Sequence, residues 1–394
     1  MAQQHPAMLV RGAALVSALG VDWRASCAAA RAGLRRAAPV PGLEAQSGID
    51  GEEEPVIGHA ATLVTHGFEG SARLLRLAAA GLRELAQQHP ELRSCDSHTG
   101  FLLVLGPRQR HLRGVELVAD AQTAAQLRSA IHRAGTGVPG DDAALPPLIE
   151  RDRAALLVAI AAQAGLQGSP RLLRCLEDDE VSALVALQWA ARWLETEAAL
   201  QRIVLLAADT LLEAETVAWL ENTGRLKAGA MPVGLEPGEA CAALLLERHD
   251  AAAPSDRPLG VVRGTAFALE PQPLIAGAAG TGEGTARVLD GLGTSHGWAR
   301  QGAAWIVSDH NGELYRANDL ALALVRARGS CPSLGSATIS TPATSFGDVG
   351  AARPLLGICV ALAAFERRYA PADEALVLAV GESDRRAAVP IARA

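Results

Sequence analysis

Three places in this chain carry residue types that could do proton-transfer or nucleophilic chemistry. The first is His310, within "WIVSDHNGELYRAND" (305–319). An apolar run, Trp305-Ile306-Val307, stops at Asp309-His310-Asn311-Gly312, and helical spacing follows. An imidazole at the carboxyl end of a buried strand titrates near neutral pH and can serve as acid or base. The second is "EDDE" (177–180), directly before the helical stretch 181–197. Carboxylates there meet the positive end of the helix dipole. The third is Cys175, near the end of "RLLRCL" (171–176). A helix N-terminus activates a thiol by lowering its pKa, whereas four acidic neighbours raise it. A cysteine in an apolar strand is equally a small core residue. His310 has a plain structural alternative too. Asp309, His310 and Asn311 would satisfy strand-end and turn hydrogen bonds, with Asn311-Gly312 making the turn.

Other motifs carry less. "GTSHG" (293–297) matches the nucleophile-elbow spacing, but that motif needs a strand before it and a helix after it. Here a helical stretch precedes and a Trp-Ala-Arg loop follows. "GTGEG" (280–284) has no strand abutting it and no Lys-Ser/Thr behind it, so a phosphate loop is unsupported. His59, His66, His98, His111 and His296 read as surface residues without partners at ligand spacing, and no metal or cofactor is expected. The six cysteines (27, 95, 175, 241, 331, 359) are scattered with no CxxC pair, the usage of a reduced cytoplasmic protein. The net charge of -7 and the lack of a basic run argue against nucleic acid. The longest apolar stretch, 154–166, falls short of the roughly 20 residues that span a bilayer. The N-terminus lacks the basic region of a signal peptide.

The elements needed to hold these residues alternate along the chain. Strands are expected at 7–20, 100–106, 171–176, 202–208, 238–248, 260–269, 303–308, 374–380 and 387–392. Helices are expected at 22–34, 71–88, 109–133, 148–164, 181–197, 282–292, 314–328 and 350–368. Residues 40–60 and 135–147 read as loops, and 250–258 as a linker. With 49% hydrophobic residues the chain can bury a large core. The alternation indicates an α/β fold, divided near residue 250 into halves 1–250 and 251–394.

The ordered set of segments resembles the thiolase fold, specifically the β-ketoacyl synthases. "VRGAALVSALGVDWRASCAAARAGLRR" is similar to that family's opening strand, turn and helix. "ALVALQWAARWLETEAALQRIVLLAADTLL" is similar to the helix behind its nucleophile and the next strand. "PGEACAALLLE", "WIVSDHNGE" and "SFGDVGAARPLLGICVALAAF" resemble its Gly-Glu-Gly-Ala strand, first catalytic histidine and second catalytic histidine segments. The resemblance implies two duplicated α/β halves in an α-β-α-β-α layering. It also implies a cysteine at a helix N-terminus, aided by two imidazoles that stabilise an oxyanion. Here the nucleophile slot falls within 177–180, at Glu180 counting back from the helix and at Glu177 or Asp178 counting forward from Gly168. His310 takes the first histidine, Gly347 the second, and Pro342 the family's lysine. Gly381-Glu382-Ser383-Asp384 replaces the Gly-Phe-Gly-Gly loop.

These departures together make decarboxylative condensation implausible and leave His310 without its working partners. The resemblance therefore implies a pseudoenzyme that acts by binding, with no cofactor. Its expected partner is a second copy or a related thiolase-fold chain, joined through "RLLRCL". A protein effector or an acyl carrier is a further expected partner, and a role as adaptor in type VI secretion effector delivery rests on analogy. Two alternatives stay open. One is an active 3-oxoacyl-ACP synthase or acyltransferase using Cys175, or a Glu180–His310 acid–base pair. The other is a chain-length-type subunit of an active ketosynthase.

Overall fold

The computed structural model describes residues 7–46, 52–107, 110, 153–229, 231–248, 257–274, 279–295, 297–299 and 303–394. The first half opens with β1 (Met8–Ser17), apolar and buried along almost its whole length. A turn leads to α1 (Trp23–Arg31), capped by the Asp22 carboxylate, which accepts the Ala25 N–H at 2.7 Å. Next come β2 (Ala38–Gln46), β3 (Glu53–Gly58), α2 (Thr62–Thr65), α3 (Gly70–Gln88) and β4 (Thr99–Leu105). They are followed by α4 (Ala154–Ala164), β5 (Arg171–Glu177), α5 (Ser182–Thr196), β6 (Arg202–Thr210), α6 (Ala214–Asn222) and β7 (Glu239–Arg248). The second half comprises β8 (Gly260–Val262), β9 (Ala266–Leu269), α7 (Glu283–Ser295), β10 (Trp305–Val307) and α8 (Leu314–Arg326). It ends with β11 (Thr338–Ser340), α9 (Ala343–Phe346), α10 (Arg353–Glu366), β12 (Glu374–Val380) and β13 (Arg385–Arg393).

Strand order shows the duplication directly. Strands β1, β4, β5, β6 and β7, counted one to five, lie in the order 3-2-4-5-1, and β9 to β13 repeat that order. β4 runs parallel to β5 and β6, while β7 is antiparallel to β6 and β1. In the second half β10 is parallel to β11 and β12, and β13 is antiparallel to β12 and β9. β8 joins the two sets, because Val261 pairs with both Leu9 and Ala392.

The core clusters give the layers. Leu102, Val104, Leu176 and Leu205 on one sheet, and Val307, Val377 and Val389 on the other, all face a shared core filled by α5 and α10. Phe101, Leu103 and Leu206 point the other way, onto α3 and α4. Ile306, Leu376 and Leu378 point onto α7 and α8. The arrangement is helix, sheet, helix, sheet, helix. Central strands buried on both faces need continuous apolar sequence, as in "FLLVL" and "WIV". Gly357 lets α10 lie close, since a Cβ there would sit 2.9 Å from Val377 Cγ1.

Several expectations need correction. Within the stretch expected as a loop over 40–60, β2 and β3 pair as antiparallel strands. Val40, Leu43, Ala45 and Val56 are buried with α6, while the acidic residues that made the stretch look loop-like point outward. The strand expected over 260–269 is two strands, broken at Arg263-Gly264-Thr265, where Gly264 has φ +117°. β11 and α6 had not been anticipated. The helix expected over 109–133 lies, apart from Arg110, outside the described residues, as do the loop over 135–147 and the start of the helix over 148–164. No described helix is long and apolar enough to cross a membrane.

Candidate functional site

β10 delivers the chain into the turn that carries His310. The Ser308 hydroxyl accepts the His310 N–H at 3.0 Å, and Asn311 Oδ1 accepts the Glu313 N–H at 3.1 Å, at the start of α8. The His310 ring is half-buried, and its buried Nδ1 has no hydrogen-bond partner among the described residues. Burial pushes the imidazole below the ordinary histidine range, against the pull of Asp309.

Across from this turn, the β5–α5 connection presents Asp178, Asp179 and Glu180, all buried. Glu180 lies at the N-terminal approach to α5, and it is held by arginines. Its Oε1 accepts from Arg353 Nη2 at 3.0 Å and from Arg316 Nη2 at 3.3 Å. Arg316, on α8, also binds Asp309 at 2.9 Å and Glu313 at 3.1 Å, and donates to the Val380 carbonyl. Arg353, which opens α10, pairs with Asp348 and donates to the Asp309 carbonyl at 3.1 Å. Arg225 binds Glu313 and, at 2.8 Å, Glu382. Arg385 binds Asp178 at 2.8 Å and Asp179 at 3.2 Å. Arg110 pairs with Asp209, which also accepts the Ala351 N–H at 2.8 Å. Asp209 fits because Gly106 and Gly350 leave room; a Cβ on either would come within 2.0 Å of its carboxylate.

The result is a buried junction between the halves. Arg316, Arg353 and Arg385 of the second half hold carboxylates of the first, and Arg225 of the first holds carboxylates of the second. Each of the arginines 110, 225, 316, 353 and 385, and each of the carboxylates 178, 179, 180, 209, 309, 313, 348 and 382, is less than a tenth exposed. Removing such groups from water is expensive unless each charge is met. The carboxylates are met unequally. Burial raises Glu313, but Arg225 and Arg316 outweigh it and hold the group at about 2. Asp348 is held low by Arg353 and Arg316 in the same way, against its burial. At Glu180 burial wins over both arginines, and Glu382 and Asp179 add to it, so its carboxyl is raised to about 7.

The other residues singled out from sequence are placed as follows. Cys175 is fully buried in β5 and faces the outer layer with Leu103 and Ile160. The side chains of α5 belong to the core on the opposite face of the sheet. Glu180 and His310 share no hydrogen bond; they are linked through Arg353 and the Asp309 backbone. Pro342 caps the short α9. Gly347 has φ +73°, and a Cβ on it would lie 2.6 Å from His59 Cδ2. His59 thus fills the space that a side chain at 347 would need. The expectation that His59 is a surface residue is overturned. Its side chain is fully buried, with Nε2 3.0 Å from Glu236 Oε2, because the 58–60 segment pairs with Gly238. His66 and His98 are exposed, and His111 and His296 lie outside the described residues. In "GTSHG", Gly293, Thr294 and Ser295 end α7.

Sequence reading missed the arginines. Their signal is arginine set against an apolar run, as in "DVGAARPLLGICV" and "DRRAAVPIA". In sequence, Glu382 and Ser383 stand only where the resemblance has a glycine-rich loop. Yet Glu382 binds Arg225, and the Ser383 hydroxyl donates to Asp179 at 2.6 Å. Guanidinium and carboxylate groups meet across the junction, but Glu180 Oε2, Arg353 Nε and Arg385 Nη1 are buried without a partner among the described residues, and no cysteine is among the ion-paired groups. The arrangement can fix geometry and hold a proton; it offers no thiolate. No group of His, Cys, Asp and Glu among the described residues is placed to hold a metal ion.

The fold is similar to several solved structures. The ishigamide ketosynthase/chain length factor superposes with a TM-score of 0.63 at 19% identity, over 98% of this chain and 99% of that one. A type II PKS acyl-carrier protein in complex with its ketosynthase bound to the hexaketide gives 0.68 at 16% identity, over the whole of both chains. The ketosynthase from module 6 of the bacillaene synthase from Bacillus subtilis 168 gives 0.68 at 14% identity, over 98% of this chain and 72% of that one. No family model and no curated protein matches the sequence. The chain has the thiolase-like α/β fold of the ketosynthases.

Proposed function

We propose that this protein is a non-condensing, ketosynthase-like subunit that acts through binding. One observation carries the reading. Glu180 stands where the resemblance puts a nucleophilic cysteine, buried and held by Arg316 and Arg353. A carboxylate engaged in that way forms no thioester, and the cysteine nearest in sequence points to another layer. The test is mass spectrometry of the protein after incubation with acyl and malonyl thioesters. No covalent adduct is expected; acylated Cys175 would restore the acyltransferase alternative.

The partner in this reading is a second copy or a related ketosynthase-fold chain. β5 is the edge of its sheet among the described strands, bonded to β4 alone. Beside it, Arg174 stacks on Trp189 at 4.5 Å and on Trp193 at 5.6 Å, a half-buried surface suited to pairing. The solved ketosynthase/chain length factor with the same fold favours the chain-length-type subunit as a second reading. Native mass spectrometry of the purified chain, alone and co-expressed with a neighbouring ketosynthase, separates a homodimer from a heterodimer. The finer assignment, an adaptor in type VI effector delivery, requires co-purification of an effector. An acyl carrier partner requires a measurable complex with the carrier.

A further inference from the structure

Among the contact-linked groups of the junction, Arg225, Arg316 and Arg353 face Glu180, Asp309, Glu313, Asp348 and Glu382. Among the described residues, these three guanidinium groups meet five carboxyl groups in a buried volume. Two further groupings adjoin them. Arg110 is matched by Asp209, and Arg385 is shared by Asp178 and Asp179. Burial shifts His310 toward its neutral form, against Asp309 and Glu313.

The carboxyl oxygens are not equally partnered. Asp309 Oδ2 accepts from Arg316 and from the Val380 N–H at 2.6 Å. Asp348 accepts from Arg353, Asn311 and the Gly350 N–H. Both oxygens of Glu313 accept from arginine. Glu180 differs, because Oε1 takes both of its arginines while the buried Oε2 has no partner. A bare carboxylate oxygen out of water is costly, and a proton removes the charge at that atom.

We propose that a proton on Glu180 Oε2 completes the junction, and that its loss on raising the pH loosens the contact between the two halves. The inference rests on the unpartnered buried oxygen, and it holds whether or not the protein proves to be a binding subunit. The groups facing Glu180 set its direction. Arg316 from α8 and Arg353 from α10 favour the anion; burial, Glu382 from the β12–β13 turn and Asp179 from its own loop favour the acid. A carboxyl that binds its proton more tightly when folded stabilises the fold at low pH. That contribution declines as pH rises from the ordinary carboxyl range through about 7.

The test compares the wild type with E180Q, whose amide oxygen can still accept from both arginines. Thermal unfolding is measured from about pH 5 to about pH 9. The expected result is a variant close to the wild type at the acid end and higher in Tm at the alkaline end. A variant that fails to fold, or that loses the same amount at every pH, overturns the proposal. Infrared difference spectra of wild type minus E180Q give a second readout below pH 7. A carboxylic-acid carbonyl band supports the proposal, and carboxylate bands alone overturn it. The thioester assay above is unaffected by either outcome.

Discussion

The two central helices, α5 and α10, occupy equivalent places in the duplicated halves and solve the same problem differently. Each begins beyond an aspartate that accepts a backbone N–H two residues on. Asp179 takes Val181 N–H at 3.2 Å, and Asp348 takes Gly350 N–H at 2.9 Å. From there they diverge. The start of α5 presents Asp178, Asp179 and Glu180 with no cation of its own. The start of α10 carries Arg353 in its first turn and borrows Asp209 from the other half. An anionic helix start is thus set against a cationic one, joined at Arg353–Glu180. In the ketosynthases that this chain resembles, the corresponding places hold a thiol and an imidazole. On the reading proposed here, the first place is taken by Glu180, a member of the ion network, and the second by Gly347, whose side-chain space His59 fills.

The contrast makes the two ends unequal in energy. Arg353→Ala strips Asp348 and Glu180 of a cation and leaves buried charge uncompensated, so a loss of about 3–5 kcal/mol is expected in urea unfolding. E180Q keeps an oxygen acceptor for both arginines, so it should cost far less. Equal losses for the two variants would end the comparison. Next is Gly347→His, which restores the histidine of the resemblance in sequence. Its positive φ and the His59 ring predict a loss of about 2–3 kcal/mol, partly recovered in the double variant with His59→Ala. If G347H is as stable as the wild type, His59 is not what excludes a side chain there. Cys175→Ala should cost about 1 kcal/mol and leave thioester reactivity unchanged. A change in reactivity would move attention back to β5. The smallest effect belongs to Arg24→Ala, because the Arg24–Glu366 pair is about a third exposed. A loss of at most about 1 kcal/mol, weakened further by salt, sets the exposed reference for Arg353.

Most of this architecture was legible in periodicity. "FLLVLG" and "WIVS" are readable as buried strands because parallel strands between helix layers leave no polar face. The β2–β3 pair was not, because its strands bury few residues and display prolines and glutamates. His310 was located correctly at a strand end, and the turn bonds made by Ser308 and Asn311 follow from residue type. The junction was illegible for a different reason. Arg225, Arg316, Arg353 and Arg385 lie far apart in sequence, and nothing local marks a buried arginine except an apolar neighbourhood. Their meaning comes only from the fold that collects them.

β8 has three residues, yet it links the two sheets. Val261 is flanked by Leu9 on one side and Ala392 on the other, so two inter-strand spacings, roughly 10 Å, separate β1 from β13. Neither half has a complete edge of its own at that seam. Melting one half would expose the ladder of the other, so amide protons near Val261 and Val262 should exchange with solvent only when the whole molecule opens. The chain is therefore expected to unfold as a single cooperative unit in spite of its internal repeat.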